Sequence, residues 1–75
     1  MKWQDKETKV FARGTVPDGY FGDRRDVEFA LYGKRIVTVA DCGCFDSGLP
    51  DVIDIPEAVY MIQTHPRARE YRLTA

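Results

Sequence analysis

The sequence predicts a small α+β domain, an antiparallel β-meander of three to four strands with one helix packed on one face, in the order β-β-β-α-β. Three observations carry this. Two stretches, 8–16 and 26–32, alternate with the period of two that a half-buried strand requires, and 35–40 is a further strand. The second stretch is joined to 35–40 by Gly33-Lys34, a two-residue loop led by glycine that fits a type II′ hairpin turn. From residue 54 onward the apolar period lengthens to that of a helix.

The elements follow in chain order. In "TKVFARGTV" (8–16), Val10, Ala12, Gly14 and Val16 fall on one face and Lys9, Phe11, Arg13 and Thr15 on the other, and the β-branched residues favour a strand. Gly14 weakens that strand and marks either a bulge or a close approach of another backbone. "VPDGYFGDRRD" (16–26) is a connection longer than a tight hairpin needs, with Pro17 and Gly19 as turn residues. "DVEFALY" (26–32) opposes Val27, Phe29 and Leu31 to Glu28, Ala30 and Tyr32, and "RIVTVA" (35–40) is its hairpin partner. "DCGCFDSGLPD" (41–51) reads as a loop by its glycines, proline and aspartates. In "DIPEAVYMIQTHP" (54–66), Ile55, Ala58, Val59 and Ile62 form one helical face. Asp54 and Glu57 have capping-box spacing, Pro56 is tolerated in a first turn, and the His65-Pro66 pair ends the helix near Gln63 or Thr64. The tail, 67–75, suits either helix or strand; a strand from about Glu70 to Thr74 is the favoured reading, since it would add a fourth strand to the sheet. The expected core is Val10, Ala12, Val27, Phe29, Leu31, Val37, Val39, Ile55, Val59 and Ile62.

Seventy-five residues make one domain, 1–75. A core of that size contributes about 3–5 kcal/mol, so such chains commonly rely on a disulfide, a metal, a homodimer or a partner. A charged fraction of 31% with 44% hydrophobic residues is globular rather than disordered. The polar N-terminus and the absence of an 18-residue apolar run exclude a secretory signal and a membrane-spanning helix, which makes the expected setting cytoplasmic and the thiols reduced.

The net charge of −1 gives no general field toward nucleic acid, but the charge is uneven. Residues 41–59 hold five acids (Asp41, Asp46, Asp51, Asp54 and Glu57) and no lysine or arginine. Carboxylates concentrated on a loop and helix start steer toward basic protein surfaces, and the same acids also suit a solvated loop and a helix N-terminus. Tyr20, Phe21, Arg24 and Arg25 in the first connection are residue types that carry interface energy. With Arg67, Arg69, Tyr71 and Arg72 they also suit a platform for single-stranded nucleic acid. The bland reading of both groups is a loop folded over the sheet end and a charged edge strand.

"DCGC" (41–44) raises metal and redox chemistry. Zinc sites draw on paired cysteines with Cys-x₂₋₄-Cys spacing and further Cys or His ligands. Here the spacing is Cys42-x-Cys44, and His65 is the only histidine. A Cys42–Cys44 disulfide would close a strained ring, and neighbouring aspartates oppose thiolate formation. Two small apolar residues around a turn explain the motif without a cofactor. The expectation is therefore a non-enzymatic protein-binding module, an inhibitor or regulator that docks its acidic loop and helix start on a basic partner. Small inhibitors encoded by phages and mobile elements are one setting for such chains. A nucleic-acid binder and a Cys/His metal or thiol-redox protein are the alternatives.

Overall fold

The computed structural model describes residues 8–19, 21–41 and 43–74. Its strands are β1 (Thr8–Pro17), β2 (Arg24–Tyr32), β3 (Arg35–Ala40), β4 (Gly43–Asp46) and β5 (Arg72–Thr74), and its helix is α1 (Ile55–Thr64), followed by a short 3₁₀ turn at Pro66–Ala68. The strands form one antiparallel sheet in the order β4-β3-β2-β1-β5. The α+β meander with one helix is as the sequence predicts, with one strand more.

The β2–β3 hairpin is the centre of the sheet. Tyr32 pairs with Arg35, so Gly33-Lys34 is the whole connection. Gly33 has a φ of 63° and no described non-glycine residue has a positive φ, which is the type II′ pattern and not I′. Pairing places Leu31 opposite Ile36 and Phe29 opposite Thr38, so these side chains share the face that meets the helix. There Val27, Phe29, Leu31 and Ile36 join Ala58, Ile62 and Ala68 in one buried cluster.

The expected core in β3 holds for Val37, which is buried on the face opposite the helix, and is corrected at Val39, which is only half-buried on that same face. Ile36, Thr38 and Ala40 face the helix, and Ile36 is fully buried there. Two further corrections have local causes. A bulge between Val10 and Ala12 lets both Phe11 and Ala12 pack against the core and turns Val10, 51% exposed, to the other face. Ile55 is exposed at the helix start, where the buried positions are Ala58 and Ile62. Gly14 is not the bulge but the close approach: a Cβ there would lie 2.1 Å from the Arg72 carbonyl oxygen and 2.8 Å from the Phe29 ring.

The segment 41–51, expected to be a loop throughout, contains β4. Ala40 pairs with Gly43 and Val37 with Asp46, which satisfies main-chain groups on the outer edge of β3. The chain then stays beside β3. The Ser47 N–H donates to the Ile36 carbonyl at 3.2 Å, and the Val52 N–H donates to the Lys34 carbonyl at 2.9 Å. Leu49 and Val52 are thereby carried into the core, where composition alone did not place them.

Helix α1 starts as the capping residues dictate. Asp54 accepts from the Glu57 N–H at 3.0 Å, and the Glu57 carboxylate accepts from the Ile53 N–H at 2.7 Å. His65 is extended before Pro66, its N–H donates to the Met61 carbonyl, and its Nδ1 accepts from the Arg67 N–H at 3.1 Å. The tail is thus neither wholly helix nor wholly strand. The 3₁₀ turn buries Ala68, and β5 pairs with β1 through Leu73 opposite Gly14.

Candidate functional site

The acidic segment is less free than its sequence implies, because the fold brings cations to it. Arg35 reaches from β3 between Asp46 and Asp51, hydrogen-bonding both carboxylates, Asp51 at 2.7 Å, and donating to the Leu49 carbonyl at 2.8 Å. Arg67 donates to the Gly48 carbonyl at 3.1 Å, and the Tyr71 hydroxyl donates to the Ser47 carbonyl at 3.1 Å. The 46–51 segment is therefore fixed by three side chains from outside it. The Gly48 N–H, and after it Arg35, hold the Asp46 carboxyl below the usual carboxylate range. Asp54 and Glu57 spend their carboxylates on the helix start. Asp41, in the β3–β4 turn, is exposed and forms no ion pair among the described residues.

The aromatic and arginine group is also divided. Tyr20 lies outside the described residues. Phe21 stands 92% exposed in the β1–β2 loop. Arg24 bonds inward, to the Thr15 hydroxyl at 2.8 Å and to the carbonyls of Thr15 and Glu70 at 3.1 and 2.6 Å. Arg25 pairs with Asp18 at 3.3 Å. Tyr71 is half-buried against Phe29, with ring centroids 5.7 Å apart, and burial raises its phenol pKa. Its ring packs at the margin of the core.

Cys44 shares a face with Val39, away from the helix, whereas His65 caps the helix on the other side of the sheet. Burial pushes the Cys44 thiol up, the direction that disfavours a thiolate. Cys42 lies outside the described residues, and among those described no group of three or more His, Cys, Asp or Glu side chains is arranged to hold a metal ion. Nor is any described helix long and apolar enough to cross a membrane.

The surface that sequence reasoning missed lies at the helix start. Ile53 is 83% exposed and Tyr60 65% exposed, with Ile55 also open to solvent. Ile53 precedes the Asp54 cap, and Pro56 and Tyr60 lie on the side of α1 away from Ala58 and Ile62. Ile53 and Ile55 border an open groove whose other walls are Leu31, Gly33, Lys9 and Asp54. The signal was present in "DVID": of two adjacent apolar residues in extended chain only one faces inward, and Val52 takes that side. Chemically, this is an apolar anchor with carboxylates beside it, the composition of an interface centre and its rim.

No protein-family model matches this chain, and neither the curated proteins nor the solved structures contain a significant match to it.

Proposed function

We propose that this chain is a non-enzymatic protein-binding module, an inhibitor or regulator that works by occupying a partner's surface, and that its docking surface is the start of α1 with the groove beside it. The observation that carries the reading is the exposure of Ile53, next to Ile55 and within one turn of the carboxylates of Asp54 and Glu57. A large aliphatic side chain held in water on a well-capped helix start has no role in the core, and it supplies the apolar anchor that a binding surface needs. The carboxylates at its rim favour a partner with basic residues around an apolar pocket. The concavities among the described residues are open grooves, a shape suited to another protein's side chains. A cytoplasmic setting belongs to the same proposal and fits the free thiol of Cys44.

The test is capture by the purified protein and by an Ile53→Asp/Tyr60→Ala variant, read by quantitative mass spectrometry, with melting temperatures compared. Loss of one specific protein from the variant at unchanged melting temperature is the expected result. Equal capture of the same proteins by both would overturn the reading. Reversing the charges of Asp46, Asp51 and Asp54, which the acidic stretch suggests, is a poorer test, because it would break the Arg35 bridge to the first two and remove the helix cap at the third.

A further inference from the structure

We infer that the outer edge of β4 takes an extended segment of a partner protein as a sixth strand, a segment in which basic residues flank an apolar one. This edge is separate from the helix-start groove, and its test does not rest on that surface.

β4 is the last strand of the five-stranded sheet, and its outer side meets no other strand among the described residues. The Ser47 N–H donates to the Ile36 carbonyl at 3.2 Å, so at Ser47 the main chain turns toward β3. Alternation along the strand turns Phe45 and Gly43 the same way and leaves the N–H and C=O groups of Cys44 and Asp46 aimed outward. Donors and acceptors at that spacing are what an added strand pairs with.

The two edges of the sheet differ in how they are guarded. At one edge β5 opens with Arg72, and beside it β1 is bulged between Val10 and Ala12, next to Lys9. Cations and bulges are devices that turn another strand away. β4 carries no bulge, proline, lysine or arginine, and it holds Phe45 52% exposed. Phe45 pairs with Thr38, so its ring stands on the helix side of the sheet, where it offers an apolar contact to the residue opposite it on an added strand.

Charge selects the occupant. Asp46 and Asp51 share the one guanidinium of Arg35, and Asp41, in the turn that leads into β4, forms no ion pair among the described residues. The other cation at this edge is Arg67, which holds the Gly48 carbonyl beyond the end of the strand. Acids therefore outnumber cations here, three to two. A second copy's β4 would bring like charges together. A segment with lysine or arginine on either side of an apolar residue instead sets its apolar side chain against Phe45 and its cations on the other face, where Asp46 stands.

The probe is the end-blocked pentapeptide Lys-Val-Lys-Val-Lys, added up to millimolar concentration at low salt and followed by two-dimensional amide spectra and hydrogen exchange. The Cys44 and Asp46 amides should shift and gain protection. The peptide Glu-Val-Glu-Val-Glu, and the lysine peptide N-methylated along its main chain, should leave them unchanged. Phe45→Ser should weaken binding roughly tenfold, as loss of an anchor does. Cys44→Pro should abolish binding at unchanged melting temperature, because it removes an outward N–H that β3 does not use. If the proline lowers the melting temperature, the N-methylated peptide still decides whether main-chain pairing is needed. Ile53→Asp should bind the peptide as wild type does. No response at Cys44 and Asp46, equal binding of the acidic or the N-methylated peptide, or loss of binding in Ile53→Asp would overturn the inference. A peptide response at β4 combined with unchanged protein capture by the Ile53 variant would sink the groove alone and leave the edge as the docking surface.

Discussion

Two hairpins in this molecule have connections of the same length and quite different origins. In β2–β3 two residues join Tyr32 to Arg35, and in β3–β4 two residues join Ala40 to Gly43. The first is held by burial: Phe29, Ala30, Leu31, Ile36 and Val37 are all removed from water, on both faces of the sheet. The second lies at the sheet edge, where Phe45 is 52% exposed and Cys44 only half-buried. Its strand is kept in place by main-chain pairing, by the Thr38 hydroxyl on the Phe45 carbonyl at 3.3 Å, and by the Arg35 bridge to Asp46 and Asp51. One hairpin is written in its own apolar pattern. The other exists because β3 has an edge to satisfy and an arginine with which to hold what satisfies it.

That difference can be tested by breaking each hairpin separately. The largest effect is expected from Phe29→Ala. Its fully buried ring packs between Tyr71 and the helix, and its loss should cost about 3–5 kcal/mol. In a domain this small, that should abolish the cooperative denaturant transition. Gly43→Ala should come next. Its φ of 135° is a conformation reserved for glycine, so alanine should cost about 1–3 kcal/mol. Amide hydrogen exchange should accelerate in 44–47 while Phe29 to Leu31 stay protected; equal acceleration in both hairpins would show that they unfold as one.

Arg35→Met should have a smaller effect, about 1 kcal/mol, since partly exposed pairs are weakened by solvent. Its signature is loss of exchange protection at Ser47 and Val52, whose N–H groups hold the 47–52 segment against β3. The smallest effect is in pH. The Asp46 carboxyl titrates below its unfolded value in the folded state, so its contribution is complete above the ordinary carboxylate range. It is lost as pH falls through the depressed folded value. Acid should therefore loosen β4 before β2–β3. An Asp46→Asn variant should lose this early acid step in a two-dimensional amide spectrum recorded down the pH scale; persistence of the step would assign it to another group.

The contrast also explains what could be read in advance. Alternation over 26–32 and a glycine-led turn define the central hairpin because period-two burial and positive φ are properties of single residues and their neighbours. The capping residues Asp54 and Glu57 marked the start of α1 for the same reason. β4 has no such pattern: Gly-Cys-Phe-Asp neither alternates nor buries its large residue. The bulge at Val10/Ala12 was also silent, and one inserted residue moved Phe11 inward and Val10 outward. At the candidate site, the acids were legible as residues but not as a surface. Arg35 and Arg67 lie outside the 41–59 window; Arg35 pairs with two of its acids and Arg67 holds its main chain from across the fold. Ile53 and Tyr60 appeared apolar in sequence, and only packing of Val52 and Ala58 on the inner side left them in water.

By itself the sequence determined the class of fold, the central hairpin, the limits of the helix and the need for glycine at 33, because each follows from local periodicity, capping or backbone freedom. Only the tertiary structure decided that residues 43–46 make a strand, which acids remain unpaired, and where the exposed apolar surface lies. Those outcomes depend on which distant groups meet, and pairing across a sheet or between charges leaves no local mark in the chain.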